Sequence, residues 1–300
     1  MSESSLSRLR TMRLTIIGFG LIGGSIARAL AARDAGQWDV TAWSRSAEVL
    51  RAGLADGVLD TAAPSPEEAV VGADLVVLAA NPLANLELIG SLGSRVAHSG
   101  ATLSDVTSAQ VRLARAAAGI AGLRHVGGHP MAGIEASGYA AARADLFAGR
   151  PWIVLPSATA LPDDVGLVRT LATACGAIPV ELGAEEHDRL VAAISHMPLV
   201  VAAALAETVT SNDAWAAASR LAAGGWRDST RVARGDPDLG AGIAALNRDE
   251  LLAWLDRFAL TLAAWRSDLA GLPDRPGPVD TDALRARFES VRSALADHDG

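Results

Sequence analysis

Gly18-Phe19-Gly20-Leu21-Ile22-Gly23-Gly24-Ser25 is the stretch on which the reading of this chain turns. It follows a short apolar run, Leu14 to Ile17, that reads as a strand, and it opens a helical pattern that continues to Arg33. In that setting each glycine has separate work. Gly18 permits a tight turn, Gly20 lets a pyrophosphate approach the backbone, and Gly23 lets the helix pack closely on the strand. The free N–H groups at the helix start, around Leu21 and Ile22, meet the anion. Gly18, Gly20, Leu21, Ile22 and Gly23 are therefore the candidate cofactor-binding residues of a dinucleotide site.

Outward from this motif, short apolar runs alternate with helical patterns as a parallel α/β sheet requires. The runs nominate strands at Leu14 to Ile17, Val40 to Trp43, Leu75 to Ala79, Thr102 to Leu103, Pro151 to Leu155 and Ile178 to Leu182. Helices are predicted at Leu21 to Arg33, Leu83 to Leu92, Ala109 to Ala118 and Val165 to Cys175. After Gly183 the strand signal stops and an Ala- and Leu-rich helical pattern runs through Trp265. The expected organisation is a flexible tail over 1–12, a dinucleotide-binding α/β domain over 13–183, and an all-helical domain over 184–300. A linker is expected from Gly271 to Pro278 and a last amphipathic helix from Asp282 to Leu295. The helical part carries more apolar faces than it can bury alone, which predicts a homodimer. Val191 to Val209, interrupted by Ser195, His196, Pro198 and Glu207, reads as a buried helix of a soluble protein rather than a membrane span. The start of the chain has no apolar run of signal-peptide length.

Composition narrows the partners. The 34 acids outweigh 26 bases, giving a formal charge of −8. No chain-wide positive field exists to hold nucleic acid. Cys175 is the single cysteine, so no internal disulfide forms and a reducing, cytoplasmic setting is expected. Every basic residue is Arg.

Where an NAD-binding chain would carry an acid at the end of its second strand, this one reads Ser44-Arg45-Ser46. A guanidinium and two hydroxyls suit a 2′-phosphate, so NADP is favoured, with NAD possible. Two further segments are expected at the ligand edge of the sheet: Ser104-Asp105-Val106-Thr107-Ser108 and Gly127-Gly128-His129-Pro130-Met131-Ala132-Gly133. An imidazole held in a loop bounded by glycine and proline can accept a proton near neutral pH. In the helical part stand His187-Asp188, Ser195-His196-Met197-Pro198 and Gly224 to Arg231. His187 and His196 lack the i, i+4 spacing of a two-His zinc helix and no Cys cluster supports them, so no metal site is expected.

These motifs in this order, from about Leu14 to Trp254, resemble the prephenate and arogenate dehydrogenases of tyrosine biosynthesis. The resemblance implies a Rossmann-type domain followed by a helical dimerisation domain, with the active site in a cleft. It implies that His129 bonds the substrate's 4-hydroxyl and that Ser108 supports both hydroxyl and nicotinamide. It also implies that Arg231 binds a substrate carboxylate, with Arg227 as a second donor and His196 in the substrate site. His187 matches a family position too, and reads equally as a core histidine. Leu199 replaces a second histidine found in many relatives, and Thr107 and Gln110 stand where relatives often carry Gly and Lys. Asp228, three residues before Arg231, would favour the ammonium of arogenate over the keto group of prephenate. The rivals are an NADP-dependent hydroxy-acid or imino-acid reductase, which usually relies on a catalytic Lys absent here, and a silent dinucleotide sensor, which would need neither His129 nor Arg231.

Overall fold

The computed structural model describes residues 11–134, 136–273 and 280–296. In chain order its elements are β1 (Met12–Ile17), α1 (Leu21–Arg33), β2 (Trp38–Trp43), α2 (Ala47–Ala55), β3 (Thr61–Ala62), α3 (Pro66–Ala69), β4 (Leu75–Leu78) and α4 (Pro82–Ser99). There follow β5 (Thr102–Asp105), α5 (Val111–Ala118), β6 (Arg124–Pro130), β7 (Pro151–Pro156), α6 (Pro162–Ala174) and β8 (Ile178–Glu181). Helices complete the chain: α7 (Ala184–Val191), α8 (Met197–Thr210), α9 (Trp215–Ala218), α10 (Gly224–Thr230), α11 (Pro237–Leu246), α12 (Arg248–Ala270) and α13 (Asp282–Ala296).

The strands form one eight-stranded sheet in the order β3-β2-β1-β4-β5-β6-β7-β8. Every pairing is parallel except β6 with β7. The two-residue period of a strand sends alternate side chains to opposite faces, and both faces are covered. Leu14, Ile16, Leu75 and Val77 join Ile26, Leu30, Val168 and Leu171 in one core. Ile17, Val76 and Leu78 join Ile89, Val96 and Leu113 in the other. Strand order reverses between β1 and β4, which opens a crevice at the carboxyl ends of those strands.

The nominated strands and helices are present, several with longer bounds. Three expectations need correction. Met12, expected in a tail, begins β1 directly after Thr11, while residues 1–10 of that tail lie outside the described residues. His129, expected in a loop, sits on β6, which the sequence conceals because its residues read Arg-His-Val-Gly-Gly-His-Pro. Its glycines are required by close neighbours: a Cβ on Gly127 would stand 2.0 Å from Gln110 Oε1, and one on Gly128 would stand 2.6 Å from the Asp105 carbonyl oxygen. The helix expected to be buried is largely open on the single chain, with 22% of its most apolar stretch covered, and Ile194 is 70% exposed. By compactness the described chain divides at Leu251/Leu252, which groups α7 to α11 with the sheet. In the second unit Phe288 packs on Trp265 at 4.8 Å and Arg287 lies 4.2 Å over the same indole. Of the expected linker, 274–278 lie outside the described residues.

The turn into α1 explains its own glycines. Gly18 has φ +103, and a Cβ there would meet the Ala79 carbonyl carbon at 2.6 Å. A Cβ on Gly23 would stand 2.1 Å from the Gly18 carbonyl oxygen and 2.9 Å from Ile16 Cγ2. Because the first obstacle is backbone, it cannot rotate away. Gly23→Ala is therefore expected to cost about 1–3 kcal/mol of stability, read as a fall in melting temperature; an unchanged melting temperature would contradict the close packing.

Candidate active site

The crevice beside Gly18 is a cleft of about 730 Å³. Gly18 and Gly20 line it from the β1–α1 turn, Ser44, Arg45 and Ser46 from the end of β2, and Ser137 and Gly138 from the segment after β6. Gly20 is the N-cap of α1 and no side chain caps the helix. A Cβ on Gly20 would meet nothing within 4 Å, so space in front of the helix start is open to an anion. Leu21 and Ile22 pack partly buried against the core, so only their backbone can serve that site. Arg45 is exposed. Three carboxylates that the sequence reading did not single out, Glu87, Asp236 and Asp238, also line the cleft. The last two arrive because α11 packs on α4, where a Cβ on Gly242 would meet Pro82 at 3.2 Å.

A second group of residues is drawn together by hydrogen bonds. Asp188 sits at the N-terminus of α5, where its carboxylate accepts from the backbone N–H of Gln110 at 2.8 Å and of Val111 at 2.8 Å. Its Oδ1 pairs with His187 Nδ1 at 2.8 Å, and His187 Nε2 lies 2.8 Å from His129 Nδ1. These contacts fix the tautomers. An acceptor carboxylate requires Nδ1–H on His187; its Nε2 must then accept from His129 Nδ1–H. His129 Nε2 is left with a lone pair. Burial draws the His129 pKa well below the usual imidazole range, and charge on His187 and His196 adds to the effect. His129 is therefore neutral at ordinary pH, with its Nε2 lone pair able to accept a proton.

His196 is fully buried. Asn247 Nδ2 donates to its Nδ1 at 3.0 Å and to the Asp188 carbonyl at 2.8 Å. Burial lowers the His196 pKa to about 4, against opposing contributions from Asp188 and the Ser108 backbone. Among the described residues its Nε2 has no hydrogen-bond partner, and neither has the buried Ser108 Oγ. In a regular helix His187 and His196, nine residues apart, would face opposite ways, since each residue turns the chain by about 100°. The π-helical turn Ala192–His196 between α7 and α8 unwinds that rotation and brings both to the Asp188–Asn247 cluster.

Beneath this cluster Gln110 Nε2 donates to Asp105 Oδ1 at 2.9 Å, to the Thr107 carbonyl at 2.7 Å and towards the Gly128 carbonyl at 3.1 Å. Asp105 Oδ2 pairs with the buried His125 at 3.1 Å. Gln110, met in the sequence only as a departure, thus ties the Ser108 segment to the strand that carries His129. Asn247 was missed altogether: an isolated Asn at a helix end carries no sequence signal for what it touches. Arg227, Asp228 and Arg231 are exposed on α10 and the short turn after it, a segment that packs on α8. No group of three or more His, Cys, Asp or Glu among the described residues is arranged to hold a metal.

Residues 26–181 match the family model for the prephenate dehydrogenase nucleotide-binding domain, and 183–271 match that for its dimerization domain. The chain is 36% identical over 259 residues to a prephenate dehydrogenase of Bacillus subtilis, covering 83% of this chain and 68% of that one. It is 30% identical over 295 residues to a cyclohexadienyl dehydrogenase of Zymomonas mobilis, covering 95% and 97%. It shares its fold, at a TM-score of 0.86 and 24% identity, with a prephenate dehydrogenase of A. aeolicus solved with hydroxyphenyl propionate and NAD+, over 97% of this chain and all of that one. With both domain models matched in order across most of its length, the chain belongs to the prephenate dehydrogenase family.

Proposed function

We propose that this protein oxidatively decarboxylates prephenate to 4-hydroxyphenylpyruvate, with hydride transfer to a nicotinamide cofactor, in tyrosine biosynthesis. The observation that carries the reading is the Asp188–His187–His129 chain, which leaves one neutral imidazole nitrogen as a proton acceptor. Prephenate is a cyclohexadienol with two carboxylates. A bound nicotinamide dinucleotide supplies the acceptor for the hydride of C4, and the open glycine loop at a bare helix start fits its pyrophosphate. His129 Nε2 takes the 4-hydroxyl proton as the hydride leaves. The resulting cation is shared towards His187 and balanced by Asp188. Loss of the ring carboxylate as CO2 makes the ring aromatic and leaves a phenolate, which takes the proton back from His129. Prephenate dianion thus becomes a monoanion, CO2 and a transferred hydride, with no proton gained or lost.

The buried Ser108 Oγ and His196 Nε2, both without protein partners, are the groups we assign to the substrate beside His129. Family resemblance supports Arg231, with Arg227, as the grip on a carboxylate. Arogenate is the second reading, favoured by Asp228 near Arg231. Ser44, Arg45 and Ser46 in the cleft support NADP over NAD. The apolar helix left open on the single chain and the matched dimerization domain support a homodimer. That helix is long and apolar enough to cross a membrane by length and composition; Pro198 and Glu207 within it favour a protein surface as its cover. We place the enzyme in the cytoplasm, as its one thiol, Cys175, is buried and free.

The test pairs prephenate or arogenate with NAD+ or NADP+ and follows the near-ultraviolet absorbance of the reduced nicotinamide. Turnover with prephenate is expected, and none with any pairing would overturn the reading. His129→Asn should lower kcat by about 10²–10⁴-fold while cofactor binding persists; normal turnover would remove His129 as the base. Because the neutral imidazole is the active form and its pKa is lowered, activity should persist as pH falls through 6.5 and fail only below it. An acid limb of kcat/KM at or above that pH would contradict the site's electrostatics. Arg45→Ala should weaken NADP binding more than NAD binding, whereas equal losses would refute phosphate recognition.

A further inference from the structure

Ser137 and Gly138 line the dinucleotide cleft, and so does the edge of the next residue, Tyr139, whose side chain is otherwise buried. Its ring stacks on Phe19, which stands between Gly18 and Gly20, with centroids 5.0 Å apart and planes 21° from parallel. The ring also fills a notch in α1, because a Cβ on Gly24 would stand 2.6 Å from Tyr139 Cδ2. Arg28, one turn further along α1, lies 4.6 Å over the ring. The hydroxyl donates to Asp56 Oδ2 at 2.8 Å, and Arg28 Nη2 reaches the same oxygen at 2.6 Å. Asp56 is the C-cap of α2, so three elements meet at one phenol. A second tie follows, where the backbone N–H of Arg143 donates to Ser25 Oγ at 2.9 Å. Burial and the Asp56 contact hold the phenol pKa up at about 12, so the donor proton is retained throughout the working pH range.

Tyr139 belongs to the same buried core as Phe19 and Leu50, yet its hydroxyl bond to Asp56 and the Arg143–Ser25 tie are polar contacts outside the His129 cluster. Their common effect is on the chain that leaves β6 after His129 and Pro130 and returns to α1. We infer that Tyr139, locked by Asp56 and Arg28, is a positioning residue for the cofactor, fixing Ser137 and Gly138 as one wall of the dinucleotide cleft against the glycine loop. The inference rests on the dinucleotide reading of that cleft. A wall held in place before binding spares the ligand the ordering of that segment, so its loss appears as weaker affinity rather than slower chemistry. The base stays intact because His129 is oriented from the other side, by His187.

The experiment measures NAD+ and NADP+ dissociation constants by calorimetry for the full-length wild type, Tyr139→Phe and Asp56→Ala. Tyr139→Phe keeps the stacking and removes the bond to Asp56. Asp56→Ala removes the same bond from a partly exposed position and carries the test should the first variant fail to fold. In both, the dissociation constants should rise about 2- to 10-fold, the span of one hydrogen bond. At saturating cofactor, kcat should stay within about twofold. That split is the signature of positioning, since general destabilisation would lower the active fraction and leave the dissociation constant alone. Wild type that binds either dinucleotide while both variants bind it equally well would overturn the latch and leave the cleft's reading standing. Wild type that binds neither would overturn the cleft's reading and the latch together. A fall in kcat with unchanged affinity would also overturn it.

Discussion

A carboxylate seated on the first turn of a helix orders the rest of the site. Asp188 accepts backbone N–H groups from the start of α5, where unpaired donors and the helix dipole favour an anion. With that charge fixed, His187 has one orientation and one tautomer, and through it so has His129. Asp188 belongs to the helical half of the chain and Gln110 to the sheet half. The same bonds that set the base therefore hold α7 against the sheet, and this is one reason why compactness does not divide the chain at Gly183.

The two ligand regions meet on one strand and the segment after it. β6 presents His125, Gly127 and His129 on one face, with Gln110 occupying the space a side chain on Gly127 would need. Beyond Pro130 the chain runs to the dinucleotide cleft and is anchored at α1. In the proposed reaction C4 must face the nicotinamide while its hydroxyl faces His129, and alignment of that kind is worth several orders of magnitude in rate. A strand is a stiffer carrier for the base than a loop, since its backbone is fixed by ladders to β5 and β7.

Much of the fold was legible because its signals are local. The glycine loop and the apolar runs of β1 and β4 can be read from neighbours in sequence. β6 was not, because a strand that gives two positions to glycine and two to histidine loses its apolar signature to function. Of the residues that the structure gathers around Asp188, His129 and His196 are ones the family order of motifs had pointed to. Their supporting residues were hidden: Asn247 and Gln110 act across 51 and 78 positions of sequence, and no spacing rule reaches that far. The burial of α8 was misjudged for a related reason, since composition reports that a face is apolar and not which molecule covers it.

The π turn between α7 and α8 makes this part of the chain sensitive to winding as well as to identity. Were the segment Ala192 to His196 to tighten into regular helix with every residue kept, the chain beyond it would be rotated by about one residue's turn. The imidazole of His196 would then swing by roughly 100° away from Asn247. The winding of this one turn, and not only the identity of its side chains, therefore sets where His196 points, although the helices on either side stay regular.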